Sequence, residues 1–204
     1  KDLFFQNAET QYDEAVQEVL RRHETGQPVL IVTSTIADTE LVSRVLIEKQ
    51  VAHSVLNANN AYWEAQIIKE AGQKGTVTVS TGMAGRGTDI RLGPGVKELG
   101  GLAVIGIGRM ANIRLERQAR GRAGRQGDPG SSQFFVSLED ETVSAAGEKI
   151  LEKYVDKGHR ISKRKLKKLI NGTQKLQEEF AVSQRKRSVD FDKVMKRQRT
   201  MMYE

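Results

Sequence analysis

Short runs of β-forming residues alternate with helical patterns through the first 140 residues, and this alternation constrains the fold more than any other feature. Residues 29–32 are continuously apolar, which is typical of a strand covered on both faces in a parallel sheet. Strands joined by helices in this order predict an open parallel α/β sheet with its ligand loops at the carboxyl ends of the strands. The predicted strands are 28–33, 52–56, 76–80, 102–107 and 133–138.

The segments that connect these runs carry apolar residues at helical spacing. Ile36, Leu41, Val45 and Leu46 lie at helical spacing, so one face of a helix would be apolar and would cover the sheet. An opening helix before the first strand would end near Gly26, because glycine is common just past a helix end. The predicted helices are residues 9–24, 36–49, 61–71 and 111–120.

The strand signal stops after Asp140, and the rest of the chain reads as helix. An apolar stripe includes Leu169, Leu176 and Phe180, and it predicts one long helix or two helices broken near Gly172. We therefore predict an α/β domain over residues 1–140 and a helical segment over residues 141–204. The remaining stripe positions are Leu166, Thr173, Phe191, Val194, Met195, Gln198 and Met202.

Positive charge is concentrated in this helical segment. Residues 141–204 hold 17 Lys and Arg against 9 Asp and Glu, whereas the whole chain carries a formal net charge of +7. Two interpretations stay open: the basic face is simply solvated, or it contacts acidic lipid or a partner.

Composition excludes several kinds of chemistry. The chain has no Cys and only three scattered His, so neither a disulfide framework nor a thiolate or histidine metal site is expected. No apolar run reaches the roughly 18 residues that a membrane-spanning helix needs. A basic and then apolar signal sequence is also missing from residues 1–30, so we expect a chain that neither spans a membrane nor carries its own leader.

Glycines cluster around an arginine directly after the third predicted strand, in residues 81–90 (TGMAGRGTDI). Gly85 and Gly87 have no Cβ and flank Arg86, so backbone could approach a phosphate while the guanidinium points at it. Asp89 could accept hydrogen bonds from ribose hydroxyls or hold an arginine. A glycine-rich turn with a solvated Arg86 is the alternative interpretation.

A second arginine cluster occupies residues 118–128 (QARGRAGRQGD), between the helix at 111–120 and the last predicted strand. Arg122 and Arg125 are three residues apart and would present two permanent positive charges to the same side of a helical turn. Paired guanidinium groups suit a triphosphate, because the transition state of phosphoryl transfer spreads negative charge over three oxygens.

Together the two clusters resemble motifs V and VI of superfamily 2 helicase and translocase motors, and a longer string closely resembles SecA, the bacterial preprotein translocase ATPase. Gln118 stands where RNA helicases commonly have His. Residues 107–112 (IGRMAN) replace the family's usual Glu-Arg-His stretch and Gly82 replaces its usual Asn, which suggests the accessory SecA paralogue of Gram-positive bacteria. The matching segments are 57–58 (NA), 71–75 (AGQKG), 83–90 (MAGRGTDI), 95–102 (GVKELGGL), 124–130 (GRQGDPG), 137–140 (SLED) and 191–203.

The resemblance implies a RecA-like second motor domain followed by a long helical scaffold segment. It also implies that ATP binds between this domain and a first motor domain, with Arg86 and Arg125 as arginine fingers and Arg122 supporting them. No Gly-x-x-x-x-Gly-Lys-Ser/Thr loop occurs in the chain, so Mg²⁺ would be held by the first motor domain and this chain alone would not hydrolyse ATP. The implied nucleotide-binding residues are Gly85, Gly87, Thr88, Asp89 and Gln118.

By the same resemblance, the partners would be a preprotein substrate, a SecY-type membrane channel and the first nucleotide-binding domain in cis. The protein would be cytoplasmic and peripherally associated with the inner face of the cell membrane. An anionic phospholipid surface and a homodimer stay open as further partners, whereas nucleic acid is disfavoured because few aromatic residues lie among the basic ones. The competing hypotheses are the C-terminal RecA-like domain of a superfamily 2 RNA helicase and a non-catalytic module whose basic tail binds anionic lipid or nucleic acid.

Overall fold

The computed structural model describes residues 1–202 apart from 83, 86–87 and 147–160. Six strands of the described chain form one parallel sheet in the order β1-β6-β5-β2-β4-β3. The strands are β1 (Leu3–Phe5), β2 (Val29–Thr33), β3 (Ser54–Leu56), β4 (Val77–Thr81), β5 (Leu102–Ile107) and β6 (Gly130–Ser137). The helices are α1 (Ala8–Glu24), α2 (Ile36–Glu48), α3 (Glu64–Ala71), α4 (Ile113–Arg120), α5 (Glu141–Ala146) and α6 (Lys163–Met202).

The central strands are buried on both faces, and this confirms the parallel α/β prediction. All five residues of β2 and all six of β5 are buried. Because side chains alternate along a strand, Leu30 and Val104 enter one core while Ile31 and Ile105 enter the other. Helices α1 and α2 cover the second core; α3, α4, α5 and α6 cover the first.

Helix starts follow local capping chemistry. The side chains of Asn7, Thr35 and Asn112 accept a hydrogen bond from a backbone N–H in the first turn of α1, α2 and α4. Asn112 thereby fixes where α4 begins, two residues later than predicted, and α4 carries the second arginine cluster at its end. Short polar side chains at these positions are a signal that sequence alone provides.

Strand β1 was not predicted. It has three residues, Leu3–Phe5, too few for an alternating pattern to stand out, and it forms because these residues pair in parallel with β6 at Phe135, Val136 and Ser137. The predicted helix at 61–71 is also shorter than expected, because 58–63 is a 3₁₀ helix and α3 begins at Glu64.

Helix α6 is one continuous element, and of the two alternatives it is the unbroken helix that forms. Leu166 and Ile170 are buried against the first core, and Leu169 packs beside them. The predicted apolar stripe is covered only in part within the described chain, since the side chains of Leu176 and Phe180 are 57% and 65% exposed. The contacting stripe instead continues through Thr173, Gln174 and Gln177, because α6 meets the domain there through polar groups at the sheet edge. Among the described helices, none combines the length and the apolar character needed to cross a membrane.

Candidate functional site

The glycine loop, residues 82–89, follows β4 directly at the carboxyl end of the sheet. The Gly82 N–H donates to the Thr33 carbonyl at 3.0 Å, which attaches the loop to the end of the neighbouring strand β2. Gly85 adopts φ +67°, and a Cβ there would lie 2.7 Å from Ile68 Cδ1. The backbone conformation therefore favours glycine at position 85, and a Cβ there would also force the Ile68 side chain to move.

The arginine loop, residues 121–127, begins where α4 ends. The Gly121 N–H donates to the Arg117 carbonyl at 2.9 Å, and a 3₁₀ turn over Arg125–Gly127 follows. Gly124 adopts φ +68°, so the chain can reverse there and bring Arg122 and Arg125 toward the glycine loop. The local backbone turns thus determine the positions from which the side chains of Arg122 and Arg125 extend.

Arg122 joins the two loops. Its Nη2 donates to the Ala84 carbonyl at 2.8 Å, and its Nη1 is buried without a hydrogen-bond partner among the described residues. Burial lowers the pKa of Arg122, and the positive charge of Arg125 lowers it further, while Glu64 opposes the shift. Arg122 still carries its charge at neutral pH, since an arginine is effectively always protonated. Its position therefore suits a supporting role more than direct contact with an exposed ligand.

Arg125 forms an ion pair with Asp89 across the two loops, and its Nε donates to the Gly121 carbonyl at 2.8 Å. The two side chains are 43% and 41% exposed, so the pair lies at the surface, where water weakens such attractions. A guanidinium held this way can exchange its carboxylate partner for a phosphate, because both offer oxygen pairs to its planar fork. The pair joins two residues that the sequence placed in separate motifs.

A cleft of about 620 Å³ opens beside Asp89. Thr88 and Asp89 line one side of it, and α3 contributes the other wall with Ile68 and Lys69. Sequence reasoning gave no role to Tyr62, which also lines the cleft and is 88% exposed. Its ring meets Trp63 edge to face with centroids 5.1 Å apart, so an aromatic pair stands at the rim.

The structure describes only some of the other predicted site residues. Gln118 lies half-buried on α4, one turn before Arg122. Arg86 and Gly87 lie outside the described residues, so the structure does not test the first predicted arginine finger. The described chain thus brings Gly85, Asp89, Arg122 and Arg125 together at one edge of the sheet.

A second cleft, of about 650 Å³, opens at the carboxyl ends of β2, β5 and β6, and sequence reasoning missed it. Asp140 lines it and accepts hydrogen bonds from Ser137 N at 3.0 Å, Gln11 Nε2 at 2.8 Å and Arg109 N at 3.1 Å. Burial nevertheless raises the pKa of Asp140 to about 6, against the effect of these donors. Because its oxygens are already bonded internally, we interpret Asp140 as a structural anchor.

Comparison with known families decides what this arrangement belongs to. The family model described as SecA P-loop domain matches residues 1–97 and 94–161, and the SecA Wing and Scaffold domain model matches residues 160–204. This chain belongs to the SecA family. The resemblance noted in the sequence is thereby confirmed, whereas assignment to the accessory paralogue stays a prediction.

Curated SecA relatives match the chain almost from end to end. Protein translocase subunits SecA of Thermosipho africanus, Thermotoga neapolitana and Thermosipho melanesiensis are each 46% identical over 207 residues, which covers 99% of this chain. The match covers 24% of each relative, so the chain spans about a quarter of the length of these SecA subunits.

Solved structures that resemble the SecA chain are more distant. Domain 2 of the DEAD-box helicase Mss116p bound to an RNA duplex aligns with a TM-score of 0.48 and 18% identity, covering 71% of this chain and 57% of that one. The C-terminal part of the Fun30 ATPase domain aligns with a TM-score of 0.49 and 16% identity, covering 80% and 54%.

Proposed function

We propose that this chain is the second motor domain, with the beginning of the helical scaffold, of a SecA-type ATPase that moves secretory polypeptides across the cytoplasmic membrane. One observation carries the proposal. Arg122 bonds the glycine loop at the Ala84 carbonyl, and the same two loops bring Arg125 against Asp89. Membership of the SecA family supports the assignment to a translocation ATPase.

In this proposal, ATP enters from the side of the first motor domain and its phosphates face the arginine loop. Arg125 leaves Asp89 and turns to the γ-phosphate, where it stabilises charge that develops in the transition state. Asp89, released from Arg125, accepts hydrogen bonds from the hydroxyl groups of the nucleotide, while Thr88 and the backbone N–H groups of Gly85 and Gly87 donate to it. Arg86 would act as a second finger.

Arg122 remains with the Ala84 carbonyl and keeps the distance between the loops fixed while Arg125 changes partner. Gln118 would contact the nucleotide from α4. We further propose that Mg²⁺ is held by the first motor domain, because this chain's sequence has no Gly-x-x-x-x-Gly-Lys-Ser/Thr loop to hold it. The chain would thus supply charge, and the first domain would supply the phosphate cradle.

The proposed partners are a preprotein, a SecY-type channel and the first motor domain in cis, with the protein cytoplasmic and bound peripherally to the membrane. The relatives carry the name protein translocase subunit, which supports this set. The exposed basic face of α6 suits an anionic phospholipid surface, and a homodimer stays open.

The test uses the complete protein that carries this chain. ATP hydrolysis is measured alone, with channel-containing vesicles plus a preprotein, and with duplex or single-stranded RNA. We expect stimulation by vesicles with preprotein and none by RNA. Stimulation by RNA alone would replace this function with that of an RNA helicase. Salt-sensitive lipid binding without any hydrolysis would replace it with that of a binding module.

A further inference from the structure

Arg109 lies at the carboxyl end of β5 and contacts helix α6 with its side chain. The residue is only 7% exposed, its Nε donates to Gln174 Oε1 at 3.0 Å, and its Nη2 donates to Asn171 Oδ1 at 2.9 Å. Both acceptors are neutral amides on one face of α6. A buried guanidinium needs partners in fixed directions, because leaving it unpaired would be costly, so the contact sets the position of α6 relative to β5.

The main chain of Arg109 is fixed from three directions. Its N–H donates to Asp140 Oδ2 at 3.1 Å, and its carbonyl accepts from Ser34 Oγ at 2.9 Å and Thr142 Oγ1 at 3.1 Å. The backbone is thereby bound to the ends of β2 and β6 and to α5. Since the backbone is held so firmly, any adjustment at this position falls on the side chain and its partners.

The same guanidinium reaches the helix that carries the arginine loop. Arg109 Nε lies 3.6 Å from Glu116 Oε2 on α4, and both side chains are less than one tenth exposed. The other oxygen of Glu116 accepts from Arg120 at 3.0 Å. A second link is outside the core: the first amide of α4, Ile113 N, donates to Glu178 Oε1 on α6 at 3.2 Å. Helices α4 and α6 are thus connected by a buried contact through Arg109 and by an exposed hydrogen bond.

We propose that Arg109 is a positioning residue that couples α6 to the arginine loop through Glu116 and α4. A displacement of α6 would pull on Gln174, then on the guanidinium, and then on α4, which ends where Arg122 and Arg125 begin. This deepens the proposed function and rests on it for its consequence in ATP hydrolysis. The mechanical link itself does not require a nucleotide.

The chemistry of the contact explains how it can transmit motion. The only carboxylate within ion-pair distance of the Arg109 guanidinium among the described side chains is Glu116, on α4, whereas α6 offers uncharged amides. Hydrogen bonds from a charged donor are directional and stronger than neutral ones, whereas the 3.6 Å contact with Glu116 is an attraction between charges and not a hydrogen bond. The guanidinium therefore follows α6 through directional hydrogen bonds and acts on α4 through its charge.

The test compares two substitutions one turn apart on α6, made in the complete protein. Gln174→Ala removes the acceptor for Arg109. The matched control, Gln177→Ala, removes a hydrogen bond to the Thr142 carbonyl on α5, a residue that holds the main chain of Arg109 but does not bond its guanidinium. Hydrogen exchange of the backbone amides of residues 116–123 is followed without nucleotide.

We expect Gln174→Ala to speed exchange of these amides by about tenfold or more, since a hydrogen bond to a charged group is worth at least that factor. Gln177→Ala should leave them within about twofold of the parent. Arg109→Lys should behave like Gln174→Ala, because one ammonium cannot hold both amides and Glu116 in the same directions. Equal effects of the two glutamine variants, or no effect of Gln174→Ala, would overturn the coupling.

Steady-state kinetics give the second readout. Gln174→Ala and Arg109→Lys should lower kcat several-fold with KM nearly unchanged, because misplacing a finger affects the transition state more than substrate binding. Gln177→Ala should keep the parent's kcat; a loss equal to that of Gln174→Ala would count against the proposal. If the parent protein hydrolyses no ATP, the proposed function fails, while the exchange experiment still decides the coupling.

Discussion

Arg125 pairs with Asp89 although 36 positions separate them in the chain. Their side chains are each about two-fifths exposed, so the pair can open at modest cost in free energy. A phosphate that approaches would compete with the carboxylate for the guanidinium, and the carboxylate would become free for a hydroxyl donor. In the proposed function, the two members of this pair separate when ATP binds.

The 204-residue chain by itself should fold and remain inactive. Both cores are formed within the described residues, and the sequence lacks a phosphate loop. We expect a cooperative thermal transition by circular dichroism and ATP hydrolysis at background. Turnover of about 1 per second or more, a rate typical of an intact motor, by a preparation free of contaminating ATPase would contradict this expectation.

Arg125→Ala in the complete protein should reduce turnover by about 10³-fold while nucleotide affinity changes little. An arginine finger acts mainly on charge that develops in the transition state, so its loss lowers kcat more than binding. Arg86→Ala should behave alike. Arg117→Ala, an exposed arginine on α4, is the matched control and should keep parental activity.

Stimulated ATP hydrolysis and binding of a fluorescent ATP analogue measure the two quantities separately. If Arg125→Ala hydrolyses ATP at a rate within about twofold of the parent, Arg125 does not act as an arginine finger. Arg122→Ala should instead destabilise the glycine loop, because it breaks the bond to the Ala84 carbonyl.

Ile170→Ala should destabilise the isolated chain by about 2–5 kcal/mol, because it opens a cavity where α6 meets the first core and Ile170 is fully buried. Leu176→Ala is the matched control on the same helix and should cost less than about 0.5 kcal/mol, since Leu176 is 57% exposed. Urea denaturation of the three proteins gives the two differences. A larger loss for Leu176→Ala than for Ile170→Ala would mean that the faces of α6 are assigned the wrong way round.

The stability of the chain should depend on pH through Asp140. Its folded pKa, about 6, lies above its ordinary value of 3.8 because burial disfavours the charged form. Between these values the unfolded state has lost the proton that the folded state keeps, so the free energy of unfolding falls as pH rises. The contribution is complete below about pH 4 and is lost by about pH 6 to 7, a change of about 3 kcal/mol.

Asp140→Asn cannot titrate and provides the comparison. The free energy of unfolding of the parent minus that of the variant should be smaller at pH 7 than at pH 4.5. Denaturant titrations at both pH values measure it, and a difference that grows with pH would show that the donors around Asp140 outweigh its burial.

Charge reversal at Lys163, Lys167 and Lys175 should weaken binding to anionic vesicles and leave the melting temperature nearly unchanged. All three lysines are exposed on α6, and each basic group near such a surface contributes about 1 kcal/mol. Co-sedimentation with anionic and with neutral vesicles at two salt concentrations measures the effect. Equal binding of parent and triple variant at low salt would leave the basic face of α6 merely solvated.

Most of the fold was predictable because it rests on local patterns. The run at 102–107 is apolar throughout, and the structure makes it a strand with the predicted bounds. Strand β1 was not predictable, since three residues carry no period and form a strand only because β6 offers its edge. Helix α6 was predicted with Leu166 and Thr173 on its apolar stripe, and both are buried. That Gln174 and not Leu176 continues the buried face was not predictable, because both positions fit a helical stripe and only the packing distinguishes them.

The candidate site was likewise predictable only in part. Glycine and arginine spacing identified both loops, and the positive φ at Gly85 and Gly124 agrees with that signal. That Arg125 would contact Asp89, and that Arg122 would bond the Ala84 carbonyl, depended on how β4 and α4 are placed around the sheet. Arg109 carried no signal of its own, since a single arginine after a strand gives no indication of its partners.

The sequence by itself determined the succession of strands β2 to β6 along the chain, the two glycine-rich turns and the family, because each of these depends on residues close together in the chain. The tertiary structure decided which polar and charged side chains contact one another. Arg109 bonds Gln174, 65 residues away, and the sequence reads both as ordinary polar residues. Packing brings them into the same buried volume, where an unpaired guanidinium would be too costly, and so they bond.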